Sequence, residues 1–88
     1  MSSYNEGKTE IIDFLKRNFS NGATVLDVGA CDGKWKELLG DYFVVDAVEA
    51  FKPNVTKNNL LDKYRNVFVG DVKDYRYDWY DIIIFGDI

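Results

Sequence analysis

The sequence predicts an α/β domain with one parallel sheet in strand order 3-2-1-4, flanked by helices, and two observations carry that prediction. Apolar runs of strand length alternate with segments of helical period, and the connections between them are short; each strand also ends in an acid, a glycine or both, which marks where a site would lie. Parallel neighbours require a crossover, and right-handed crossovers set the second and third strands on one side of the first and the fourth on the other. In such sheets ligands bind at the carboxyl ends of the strands, near the switch between the first and fourth.

Each element has its own signal. Ile11, Ile12, Phe14, Leu15 and Phe19 recur at helical spacing after a start at Thr9 or Glu10, and Ser20-Asn21-Gly22 stops that helix. The first strand is Thr24–Val28. After a glycine turn, Trp35, Leu38 and Leu39 mark one face of a short helix closed by Gly40. The second strand covers Tyr42–Val48, because Phe43-Val44-Val45 and Ala47-Val48 form the near-continuous apolar run of a strand buried on both faces. Pro53 suits the first turn of the next helix, with Val55, Leu60, Leu61 and Tyr64 as its buried side. Asn66–Val69 is the third strand, ended by Gly70-Asp71, and Asp81–Phe85 is the fourth.

Composition bounds the function classes. A chain of 88 residues is one domain, near the lower size limit at which a single core sustains itself unaided. Cys31 is the only cysteine and there is no histidine, so neither an intramolecular disulfide nor a Cys/His zinc site is available. With 47% hydrophobic and 16% aromatic residues the chain is built to fold. A net charge of −4 without a basic run argues against a nucleic-acid or anionic-membrane surface. The N-terminus shows no apolar targeting segment and no apolar run reaches membrane-spanning length, so a cytoplasmic protein is expected.

The candidate site centres on the turn after the first strand, Asp27-Val28-Gly29-Ala30-Cys31-Asp32-Gly33. Gly29 and Gly33 can take positive φ and put no side chain in the way, so the turn is expected to bring bare backbone N–H groups against a ligand. Asp27, in a strand position destined for burial, needs a partner: a cationic ligand group or turn amides. A dinucleotide fingerprint starting at Gly29 would need glycines where Cys31 and Lys34 stand. Glu49 before a helix also reads as a cap, and Asp71 after Gly70 as ordinary turn chemistry. Cys31 lacks a histidine to activate it and reads as a small turn residue. Tyr75, Tyr77, Trp79 and Tyr80 read either as an adenine edge or as packing.

Val25-Leu26-Asp27-Val28-Gly29-Ala30-Cys31-Asp32-Gly33 resembles the first motif of class I S-adenosylmethionine-dependent methyltransferases, an apolar strand followed by D-x-G-x-G-x-G. Val48-Glu49-Ala50-Phe51, Val69-Gly70-Asp71-Val72 and Tyr80–Ile88 are similar to the ends of that family's second, third and fourth strands, so the resemblance covers roughly residues 10 to 88. It implies a Rossmann-like fold that binds S-adenosylmethionine through Asp27, Gly29, Ala30, Cys31, Gly33, Glu49, Asp71, Val72 and Gly86. In that assignment Glu49 holds the ribose hydroxyls, Asp71 the adenine amino group and the Val72 backbone the neighbouring ring nitrogen. Asp27 orients the methionine amine through water or turn amides, and Gly86 borders the methionine portion.

Cys31 departs from the motif by replacing its middle glycine, and the chain ends at Ile88, where the family continues with three more strands. The resemblance therefore implies the cofactor-binding half of a methyltransferase, truncated after the fourth strand, with its acceptor undefined. No Asn/Asp-Pro-Pro-Tyr-like motif follows the fourth strand, so amino-methylation of nucleic-acid bases is not expected. The alternatives are a non-catalytic interaction module that retains the fold and, more remotely, an NAD-dependent oxidoreductase. An apolar fourth strand at the sheet edge leads to the expectation of a homodimer that covers it.

Overall fold

A computed structural model describes residues 7–75, 77 and 79–85. Its elements are α1 (Lys8–Asn18), β1 (Thr24–Val28), α2 (Lys34–Leu39), β2 (Val44–Glu49), α3 (Lys52–Lys57), α4 (Leu60–Lys63), β3 (Val67–Val69), a 3₁₀ turn at Val72–Asp74 and β4 (Ile82–Phe85). The strands form one sheet in the order β3-β2-β1-β4, as the alternation of periods predicts. All pairings are parallel, with Val28 beside Val48 and Phe85, and Glu49 beside Val69. This register brings Gly29, Glu49 and Gly70-Asp71 to one end of the sheet. The entry of β4 is pinned to β1 at the opposite end, where Asp81 accepts hydrogen bonds from the amide and hydroxyl of Thr24 at 3.0 and 3.2 Å.

The two faces of the sheet are covered differently. Val25, Val45, Ala47 and Ile82 meet Ile12 and Leu15 of α1, Trp35 and Leu39 of α2, Val55 of α3, and Leu60 and Tyr64 at α4. Leu39 and Leu60 are wholly buried, each contributing about 1.5–3 kcal/mol. The opposite face, Leu26, Val28 and Val48, is covered by Phe68, Tyr75, Tyr77 and Tyr80. Three of the aromatics between β3 and β4 are therefore packing, while Trp79 is exposed.

Several helix details depart from the periodicity. Ile11 and Phe14 are exposed and only Ile12 and Leu15 of the expected apolar set in α1 are buried, because at 3.6 residues per turn Ile11 and Phe14 fall to the side of the stripe that Lys8, Ile12 and Leu15 turn inward. Lys8 takes up part of that face, its ammonium 5.3 Å from the centre of the Trp35 ring. The single helix expected after Pro53 is two, α3 and α4, broken at Asn58-Asn59 with Asn59 in the left-handed region at φ 53°. That break rotates the register so that Leu60 and Tyr64 point inward and Leu61, expected in the core, points to solvent.

The Asp46 carboxylate, in the middle of β2, is the polar feature of the aromatic-covered face. It accepts from Arg65 Nε and Nη2, both at 2.9 Å, from the Asn66 amide at 3.1 Å, and from the Tyr80 hydroxyl at 2.6 Å. Tyr80 also meets Tyr75, the two hydroxyls lying 2.9 Å apart. Burial pushes the Asp46 carboxyl up, but the bonds from Arg65, Tyr80 and Asn66 outweigh it and hold it below the ordinary carboxylate value. This cluster ties the segment entering β4 to the start of β3.

Candidate cofactor site

The turn from β1 into α2 is shaped by three left-handed residues: Gly29 at φ 76°, Cys31 at φ 53° and Gly33 at φ 80°. Glycine accepts this conformation freely, whereas Cys31 takes it at a cost of about 1–2 kcal/mol. The turn is tightly held. The amides of Gly29 and Ala30 both donate to the Val48 carbonyl, at 2.8 and 3.3 Å, and the Gly33 amide donates to the Ala30 carbonyl at 2.9 Å. The Cys31 amide donates to Glu49 Oε1 at 2.7 Å. The expectation of bare amides in this turn is thus corrected for Gly29, Ala30, Cys31 and Gly33: their N–H groups are used to set the turn's own shape.

Glu49 is the hub of the site. Buried to 5% exposure at the end of β2, it reaches the β1–α2 turn through Oε1, while Oε2 accepts from the Phe51 amide at 3.0 Å and the Asn54 side chain at 3.2 Å. Glu49 thus fastens the entry to α3 and the glycine turn together, although it does not cap a helix amide: it accepts from Phe51, the residue before α3. A carboxylate offers about four acceptor positions and the described bonds fill three, which leaves room for one further donor.

The turn is also gripped from the helix side. Asn58 Nδ2 donates to the Cys31 carbonyl at 2.8 Å, and Lys63 Nζ to the Asp32 carbonyl at 3.3 Å. A Cβ at Gly33 would lie 3.2 Å from Lys63 Cδ, so the turn and the α4 side chain pack closely there. Asp32 Oδ1 accepts from the Lys34 amide at 3.1 Å and starts α2. Asn54, Asn58 and Lys63 were not legible as site residues, although the Asn58-Asn59 pair inside a helical pattern is a breaker signal that marks the place.

Asp27 is wholly buried and turned to the helix-covered side of the sheet, where its Oδ2 accepts from the Tyr64 hydroxyl at 2.6 Å. Burial, the Asp27 charge and this hydrogen bond all push the Tyr64 phenol far above its ordinary value, so it stays a donor. Asp71, by contrast, is exposed and accepts at 2.9 Å from the Lys73 amide, capping the 3₁₀ turn that contains Val72. Its charge and burial together raise the Tyr77 phenol, burial being the larger cause. Gly86 lies outside the described residues.

The sheet order and the single helix-covered face invite comparison with solved structures. The chain superposes on an S-adenosylmethionine-bound amino pentose methyltransferase from Micromonospora echinaspora with a TM-score of 0.70 at 20% identity, covering 96% of this chain and 37% of that one. A dimethyladenosine transferase from Plasmodium falciparum gives 0.67 at 18% identity, covering 90% and 30%. The plantazolicin methyltransferase, solved with S-adenosylhomocysteine, gives 0.62 at 17% identity, covering 86% and 31%. The fold is that of these methyltransferases. The chain spans about a third of the length of these three structures. No protein-family profile and no curated protein matches the sequence.

Proposed function

We propose that residues 1–88 form a single S-adenosylmethionine-binding domain, the cofactor-binding part of a methyltransferase. The observation that carries this reading is Glu49: a buried acid at the end of β2, bonded to the amide of Cys31 in the β1–α2 turn. The fold shared with cofactor-bound methyltransferases at TM-scores of 0.62 and 0.70 supports it. The acceptor set suits the cofactor's chemistry. Asp27, Asp32 and Glu49 stand in or beneath one turn, a negative setting for a ligand bearing a sulfonium and an ammonium group.

When bound, S-adenosylmethionine supplies an electrophilic methyl group. In this reading the open acceptor position of Glu49 takes a ribose hydroxyl, and the exposed Asp71 with the Val72 backbone meets the adenine edge. Gly29, Ala30, Cys31 and Gly33 present a close backbone surface to the methionine portion. Because the turn amides are already engaged, they hold the surface rigid instead of donating to the ligand, and a preformed surface reduces the ordering cost of binding. The protein's contribution to transfer is orientation of the methyl carbon and exclusion of water. The acceptor is a substrate of undefined class, bound largely by elements that the longer matching structures possess.

A cytoplasmic location belongs to the same reading, and no described helix is long and apolar enough to cross a membrane. We also propose a homodimer that covers the free side of β4, where Ile83 and Phe85 are 36% and 57% exposed. Parallel calorimetric titrations with S-adenosylhomocysteine, S-adenosylmethionine and NAD test the function. Binding of the first two is expected. Binding of none would favour a non-catalytic interaction module, and binding of NAD alone an oxidoreductase.

A further inference from the structure

We infer that Tyr64 is a positioning residue for the cofactor's methionine end, acting through Asp27; the inference rests on the S-adenosylmethionine reading above. Asp27 lies two residues before Gly29, beneath the turn and wholly buried, so its carboxylate acts on a ligand through the turn and through its own orientation. A residue distant in sequence helps set that orientation: the Tyr64 phenol donates to Asp27 Oδ2 at 2.6 Å.

The phenol is itself held from several directions. Tyr64 ends α4, its amide donating to the Leu60 carbonyl at 3.0 Å, and the next amide, of Arg65, donates to the Val45 carbonyl at 2.9 Å. The ring is 4% exposed, packed in the cluster that holds Trp35, Leu39 and Leu60. The side chain thus joins α4, the first turns of α2 and the end of β1.

A structural role alone explains this pair poorly. A buried carboxylate costs stability even when it is hydrogen-bonded, and packing alone does not require one here. What it provides is a carboxylate held in one orientation beneath the turn, an acceptor suited to the ammonium of the methionine end. Without the phenolic donor the carboxylate turns toward other donors, and its orientation beneath the turn is no longer the same.

The test compares two ligands that share the thioadenosine but differ at the methionine end: S-adenosylhomocysteine, and 5′-methylthioadenosine, which lacks the amine and carboxylate. Calorimetric titrations use the 88-residue chain and its Tyr64→Phe variant, which keeps the ring and its packing. The expected result is an affinity loss of about tenfold for S-adenosylhomocysteine with 5′-methylthioadenosine within about twofold of the parent. Asp27→Asn, near-isosteric and needing no change at Tyr64, gives the same selective loss, and adding Tyr64→Phe to it causes little more. Equal losses for both ligands, or no loss for either, overturn the inference and leave the cofactor reading intact. A parent chain that binds neither ligand overturns the cofactor reading and the inference together.

Discussion

Replacing Glu49 by Ala removes the acceptor of three hydrogen bonds, from the Cys31 amide at 2.7 Å, the Phe51 amide at 3.0 Å and the Asn54 side chain at 3.2 Å. A buried donor left without its acceptor costs about 1–3 kcal/mol. Phe51 and Asn54 lie toward solvent and recover water in part, so most of the penalty falls on Cys31 and the turn it anchors. Removing a buried carboxylate also recovers part of the cost of its desolvation, which brings the expected net loss to about 2–3 kcal/mol. For a domain of this size each kcal/mol lowers the midpoint by about 4–8 °C, so thermal unfolding followed by circular dichroism should show a fall of about 10–20 °C. Glu49→Gln keeps one acceptor oxygen and should lose about half as much. Glu37→Ala, whose side chain is 70% exposed in a surface ion pair, should stay within about 0.5 kcal/mol of the parent. A Glu49→Ala midpoint within about 3 °C of the parent would refute the assignment of Glu49 as the fastening of the turn.

Cys31→Gly relieves the left-handed strain of a side chain at φ 53° but adds unfolded-state freedom, so a change between zero and about 1 kcal/mol of stabilisation is expected by urea unfolding; a destabilisation above about 1 kcal/mol contradicts the strain argument. Asp46, whose carboxyl sits below the ordinary value in the fold, contributes stability that is complete above the unfolded-state value near about pH 4 and is lost as pH falls through the lowered one. Asp46→Asn should therefore flatten the acid limb of a stability-versus-pH curve while lowering stability at neutral pH, and an unchanged acid limb would show that other carboxylates set it. Light scattering at rising concentration should show dimers, and Ile83→Lys with Phe85→Lys should return monomers; a parent chain that stays monodisperse and monomeric at high concentration removes the proposed covering of β4.

Much of this architecture is written in local pattern. The alternation of apolar strands with helical segments carried the sheet order, and the acids and glycines at the strand ends carried the placement of Glu49 beside the β1–α2 turn. What the sequence hides is whatever depends on pairing across distance. Nothing near Asp27 points to Tyr64, which lies 37 positions on and meets it only when α4 folds back over β1. Asp46 breaks the apolar run of β2, a charge that required partners, but Arg65, Asn66 and Tyr80 are supplied by two other segments. The turn amides misled in the opposite sense. Glycines do license close approach, yet the carbonyl of Val48 and the carboxylate of Glu49 compete for those same donors in the folded chain. The helix break at Asn58-Asn59 was a readable signal, and it decides which of Leu60 and Leu61 enters the core.

The most direct measurement of the central claim is the mapping of amide chemical-shift changes in the isotope-labelled chain as S-adenosylhomocysteine is added. The changes should cluster at the carboxyl ends of the strands, in Gly29–Gly33, Glu49–Phe51 and Gly70–Val72, and should be lost in Glu49→Ala. Changes centred instead on the charged groove between α2 and α4, lined by Lys36, Glu37, Asp41 and Asp62, or no changes at all, would contradict it.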